Sequence, residues 1–95
     1  MNNLGSLNVS VNSSVVSQAF DNELLLFNLE TDNIYQLNST GKRLWELVSA
    51  GNNVTEVQEQ LLREYDIDRE QLVLEIQKIL AMLVDEKLVT ISDAD

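Results

Sequence analysis

Residues Asn33 to Leu47 read NIYQLNSTGKRLWEL, and the hydrophobic period changes inside this stretch. Ile34-Tyr35-Gln36-Leu37 alternates as a strand does. Asn38-Ser39-Thr40-Gly41 then breaks the alternation with residues that favour turns and caps. Leu44, Trp45, Leu47 and Val48 recur at helical spacing. A short, half-apolar strand therefore runs straight into a Trp-bearing helix, and the rest of the chain is read outward from that junction.

Upstream, Glu30-Thr31-Asp32-Asn33 carries turn chemistry, and Glu23 to Leu29 is a Leu- and Phe-rich run. That run reads as a central strand buried on both faces. Asp21-Asn22 marks another tight turn, and Val15-Val16-Ser17-Gln18-Ala19-Phe20 precedes it as a strand. The sum is an antiparallel meander of three short strands. Residues 1–14 are polar and rich in Asn and Ser. They read as a flexible or loosely attached arm, although Leu7-Asn8-Val9-Ser10-Val11 also alternates as a strand would.

Downstream, Asn38 or Ser39 is placed to cap a helix running to about Ser49 and ending near Gly51. Thr55-x-x-Gln58 has the form of a capping box for a second helix with Val54, Val57, Leu61 and Tyr65 on its core face. Asp68 is the expected cap of a third helix, from about Arg69 to Glu86. Leu88-Val89-Thr90-Ile91 reads as a closing strand, and residues 92–95 as a frayed tail. The expected fold is α+β and winged helix-turn-helix-like. A three-stranded antiparallel sheet is followed by three helices, and the domain spans residues 15–91.

Composition limits what such a domain does. The 95 residues carry no His and no Cys. Zinc, haem and iron–sulfur sites thereby lose their usual ligands, and catalytic triads their usual base or thiol. No cofactor and no enzymatic activity are expected. Net charge is −10, and Lys42, Arg43, Arg63, Arg69, Lys78 and Lys87 are scattered. A duplex binder needs clustered cations to neutralise phosphates, so no nucleic-acid partner is expected. The chain has no run of about 18 apolar residues and no secretion signal at its start, so no membrane is expected and the cytoplasm is the default location.

On the third helix, Leu72, Val73, Ile76, Ile79, Leu80, Leu83 and Val84 form one broad apolar stripe. Leu74 and Ala81 lie off it, and Met82 falls on a further flank beyond Lys78. Either these outlying residues pack on the sheet or stand singly at the surface, or they floor a groove beside the helix. The residues alone leave both readings open.

The string Tyr35-x-Leu37-Asn38-x-x-Gly41-x-x-x-Trp45-x-Leu47 resembles the PqqD-like family, the recognition elements of ribosomally made and modified peptides. Gly51, Leu61 with Tyr65, Leu80 with Leu83, Lys87-Leu88-Val89 and the stretch Leu24-Leu25-Leu26-Phe27 extend the resemblance over Val15 to Ile91. It implies non-catalytic binding of the leader region of a precursor peptide. The leader would add as a strand beside Asn33, Ile34, Tyr35, Gln36 and Leu37 and lie against the third helix. It also implies that Leu74, Lys78, Ala81, Met82 and Asp85 stand on or near the groove wall, and that the bound precursor is presented to a peptide-modifying enzyme or leader peptidase. Two other readings compete with this one. The first is a winged-helix DNA-binding regulator, and the second is an adaptor that docks on an enzyme by its sheet.

For single residues the bland roles are clear. Trp45 reads as core and Asn38 as a helix cap. Lys42-Arg43 reads as solvated surface or a contact to a partner enzyme, and Tyr35 as core packing or groove lining. Lys78 is placed to pair with an acidic leader residue.

Overall fold

The computed structural model describes residues 7–92. Its elements, in chain order, are β1 (Asn8–Val11), β2 (Val15–Phe20), β3 (Glu23–Asn28), β4 (Asn33–Leu37), α1 (Ser39–Ser49), α2 (Val54–Glu64), α3 (Arg69–Asp85) and β5 (Val89–Ser92). The meander is present as an antiparallel sheet in the order β2-β3-β4. Asp21 and Asp32 occupy the turns that join its strands, with φ of 55° and 62°. Asp tolerates that left-handed region better than most residues.

The expectation for residues 1–14 needs correction where the structure describes them. Asn8–Val11 is a strand, antiparallel to β5, with Val9 opposite Ile91 and Val11 opposite Val89. Val9 is buried in the main core, and Leu7 and Val11 pack against it. The period-2 alternation of Leu7, Val9 and Val11 thus outweighs the polar composition around it. Residues 1–6 and 93–95 fall outside the described chain, so the first six residues of the expected arm and all but Ser92 of the expected tail are not described. Ser92 closes β5.

β3 is central, yet it is buried on one face only. Leu24, Leu26 and Asn28 point inward, while Leu25 and Phe27 on the other face are half-buried. The helices supply the inner layer. Leu44 and Trp45 of α1, Leu61 of α2, and Leu72, Ile76 and Leu83 of α3 join Leu24, Leu26 and Leu37 in one core. Trp45 is 4 % exposed and sits where the helices meet the sheet. Val84, expected in the core stripe of α3, is exposed instead.

One expected cap moves and another makes no side-chain bond. The capping box of α2 is formed by Asn53 and Glu56, not by Thr55 and Gln58. Asn53 Oδ1 accepts from the Glu56 N–H at 2.9 Å, and Glu56 Oε1 accepts from the Asn53 N–H at 2.8 Å. Asn caps at least as well as Thr, and using it starts the helix at Val54, whose side chain is buried. Asp68 precedes α3 but makes no side-chain cap bond. Asn38 caps α1 as expected, its Oδ1 accepting from the Gly41 N–H at 2.9 Å.

Candidate functional site

The two outer strands of the sheet, β2 and β4, each have one free edge among the described residues. Of the two, β4 leads directly into a residue that lines a hollow beside α3. Tyr35 projects from the inner face of the strand, and the phenol hydroxyl donates to Glu86 Oε1 at 2.8 Å. Leu37 is buried, and Asn38, the next residue, lines a hollow of about 440 Å³ together with Gln71, Leu74, Glu75, Lys78 and Ile79 of α3. β4 therefore runs alongside α3 in the opposite direction. Tyr35 lies near the helix C-terminus and Asn38 near its middle. The spans agree. The three steps from Tyr35 to Asn38 cover about 10 Å, and the eight steps from Lys78 to Glu86 about 12 Å.

The wall of this trough follows from helix geometry. Residues four apart lie one above another on a helix face, so Leu74, Lys78, Met82 and Glu86 make one ridge and Gln71, Glu75 and Ile79 the next. Leu74 is 66 % exposed at the open end of the trough, and Met82 is half-buried against the core. Lys78 is exposed, and none of the ion pairs among the described residues includes it. The Glu86 carboxylate accepts the Tyr35 hydroxyl proton in a hydrogen bond and, aided by partial desolvation, raises the phenol pKa above its ordinary value of 10.0.

Ala81 and Asp85 stand elsewhere. They share a third ridge with Gln77 and border a separate hollow of about 400 Å³, with Leu80, Val84 and Ile91, on the flank of α3 turned toward β5. The structure thus brings Leu74 and Lys78 together with the β4 side, sets Met82 beneath them, and places Ala81 and Asp85 around the helix. Gln71, Glu75 and Ile79 line the hollow and Glu86 holds Tyr35 beside it, and none of the four was read from the sequence as a groove residue. The four-residue spacing from Lys78 and Ile79 points to the first three. Nothing local points to Glu86, whose partner is 51 residues away.

The register of the sheet fixes which backbone groups face outward. The Leu29 N–H donates to Ser14 O, so the odd residues of β3 bond toward β2. Antiparallel strands alternate, so Leu24, Leu26 and Asn28 bond toward β4, opposite Leu37, Tyr35 and Asn33. The N–H and C=O groups of Ile34 and Gln36 then point away from the sheet. Their side chains lie on the outer face, and the Gln36 amide Nε2 donates to the Glu23 carboxylate. A strand laid along β4 would take its hydrogen bonds from Ile34 and Gln36. It would aim alternate side chains into the trough, beside Tyr35.

Comparison with known proteins bears on this arrangement. The family model for coenzyme PQQ synthesis protein D (PqqD) matches residues 23–89, from β3 to the start of β5. The chain belongs to the PqqD family. Two solved structures share its fold. One is TbiB1 in complex with the TbiA(beta) leader peptide, 28% identical, with a TM-score of 0.81 over 90% of this chain and 99% of that one. The other is a lasso peptide synthetase B1 complexed with the leader peptide, with a TM-score of 0.78 over 87% of this chain and 98% of that one. At 17% identity the second supports the fold alone. No curated protein matches the chain. In this PqqD-family chain the string Tyr35 to Leu47 is the β4–α1 junction, the part of the fold that sets the strand edge against the trough. The α+β, winged-helix-like architecture read from the sequence is the one observed. Among the described residues no helix is long and apolar enough to cross a membrane.

Proposed function

We propose that this chain binds the leader segment of a ribosomally made precursor peptide without acting on it chemically. The leader adds to β4 as a further strand, lies in the trough along α3, and leaves the core peptide to a maturation enzyme, either a leader peptidase or a peptide-modifying enzyme. One observation carries the reading: a free strand edge beside a helix trough, in a chain 28% identical over nine-tenths of its length to a protein solved with a leader peptide. The site residues are Asn33 to Leu37 on β4 and the Leu74–Lys78–Met82 ridge. Ala81 and Asp85 meet the leader where it passes over the crest of the helix. The reading places the chain in the cytoplasm, where precursors are synthesised.

The energetics require both halves of the site. Each added backbone hydrogen bond nets about 0.5–1.5 kcal/mol. Ordering each residue of a flexible leader costs about 1–2 kcal/mol. Strand pairing alone nearly cancels, so it sets direction and register. Each Leu-, Ile- or Phe-sized anchor buried in the trough adds about 1.5–3 kcal/mol, and several are needed for a micromolar complex near −8 kcal/mol. Net charge of −10 speaks against the DNA-binding alternative, since a polyphosphate would be repelled.

Isothermal titration of the chain with the leader of a precursor encoded beside it tests the reading. Saturable heat at micromolar concentration is expected. No heat at tens of micromolar, with no anisotropy change for a labelled leader, would refute it.

A further inference from the structure

The outer face of the sheet, turned away from the helices, has no use in the leader-binding reading. Val16, Phe27 and Ile34 lie in one cross-strand row, because Val16 pairs with Phe27 and Phe27 with Ile34. Leu25 and Phe20 continue the same face. Val16 is 49 % exposed, and Phe20 and Ile34 are each 62 % exposed. Gln18 and Gln36 flank Leu25 and Glu23 stands opposite Phe20, so the face is an apolar row with a polar border, a pattern that marks an interaction site. The strands and turns of the sheet carry charge of one sign, although Lys42 of α1 reaches the β2–β3 turn, its Nζ donating to the Asp21 carbonyl at 3.1 Å. From Val15 to Leu37 the chain carries Asp21, Glu23, Glu30 and Asp32 and no Lys or Arg. These four acids sit in or beside the two turns, so they stand at the two strand ends of the apolar face.

We infer that this face is the docking surface for the maturation enzyme, and that it takes an apolar patch ringed by Lys and Arg. The identity of the partner rests on the leader-binding reading, while the chemistry of its surface rests on this face alone. A second copy of the chain fits poorly. It would set four more carboxylates against these four, on two molecules each carrying a net charge of −10. The size also points to a passing contact. Three strands at a spacing of about 4.8 Å and six residues at about 3.4 Å give a face of roughly 300 Å². A standard interface buries about 800 Å² on each partner, so the acidic rim has to contribute as well.

The face also has a means of sensing the leader. A strand added at β4 widens the same sheet. Every second leader residue, opposite Ile34 and Gln36, then lies on the outer face beside that row. An enzyme docked there touches β2, β3, β4 and the leader together, and so distinguishes a loaded chain from an empty one. Linkage makes the coupling reciprocal, and the enzyme tightens leader binding by the same factor.

The test uses the full chain, the labelled leader and the purified maturation enzyme encoded with the precursor. Val16→Asp and Phe20→Ser change β2 only, away from the leader edge. Each is expected to weaken enzyme binding about tenfold or more while leader affinity stays within about twofold. The leader should strengthen enzyme binding to the wild-type chain, and added salt should weaken it. Unchanged enzyme affinity in both variants overturns the inference. So does a concentration-dependent wild-type dimer in sedimentation that Val16→Asp dissolves, since the face would then belong to a second copy. A wild-type chain that binds enzyme but no leader would overturn the leader-binding reading and leave this surface standing. Far-ultraviolet circular dichroism identifies a variant that has failed to fold, and the other variant then decides.

Discussion

The Tyr35 hydroxyl and the Glu86 carboxylate meet at 2.8 Å, tying the middle of β4 to the residue that caps the C-terminus of α3. The bond bridges one end of the trough and holds the strand edge at a fixed distance from the helix. Tyr35→Phe keeps the ring and removes the bond. The expected result is a slightly lower urea midpoint for unfolding and a weaker leader complex, because the two walls lose their common reference. The pH dependence has a definite sign. The phenol pKa is raised in the folded chain, so the contribution of the bond is complete below the ordinary value of 10.0 and is lost as pH rises through the folded value. Absorbance at the phenolate band should show Tyr35 ionising above its ordinary range in the wild type. Glu86→Ala should bring that ionisation down.

The alternation of the sheet separates neighbouring residues of β4. The Ile34 N–H points to the free edge, whereas the Tyr35 N–H points to β3. Proline is tolerated at an edge where its missing donor faces outward. Ile34→Pro should therefore fold and lose leader affinity about three- to tenfold, the value of one hydrogen bond. Tyr35→Pro removes a bond of the sheet itself and leaves its acceptor unpaired, which should cost about 1–3 kcal/mol of stability. Titration calorimetry and urea unfolding on the pair check both statements. Equal loss of affinity at equal stability would show that the edge assignment is wrong.

Much of this was legible before any coordinates. The change of period at Asn38 located the β4–α1 junction, and the Leu and Phe run located the central strand. Asn38, with a side chain made for capping, did what its chemistry suggests. The misreadings have physical causes. Thr55 and Gln58 have the spacing of a capping box, but Asn53 and Glu56 have it two residues earlier, and spacing alone does not rank them. The strand at Asn8–Val11 shows in the sequence as an alternation that the Asn and Ser around it leave undecided, since its stability comes from pairing with β5, some 80 residues on. Ala81 and Asp85 come from the resemblance and not from the helical period, and at 100° per residue they stand on a different ridge from Lys78, beside a second hollow. Glu86 was invisible because only the folded chain brings it to Tyr35.

The glycine in the junction string has a steric role. A Cβ on Gly41 would stand 3.0 Å from the Leu37 Cβ. That atom is fixed to the β4 backbone, so it yields only if the strand moves. Gly41→Ala improves helix propensity by at most about 1 kcal/mol, and overpacking costs about 1–3 kcal/mol. The expected outcome is a net loss near 1 kcal/mol in urea unfolding, with weaker leader binding as β4 shifts against α3.

Leu74 separates affinity from stability. It is 66 % exposed and makes no part of the core, so Leu74→Ala should change unfolding free energy by less than about 0.5 kcal/mol. The proposed leader path runs over its side chain, so truncation should remove apolar contact worth about a tenfold change in affinity. Lys78→Glu, one turn further along the same ridge, reverses the charge at the trough without touching the core. A leader with an acidic residue at that point should bind less well to Lys78→Glu at low salt and regain parity as salt rises, since exposed charges are screened beyond about 8–10 Å. Anisotropy titrations of the two variants over a salt series resolve the two contributions. The Leu74→Ala loss stays constant with salt, and the Lys78→Glu loss fades. If both variants bind the leader as the wild type does, the peptide does not lie along this ridge.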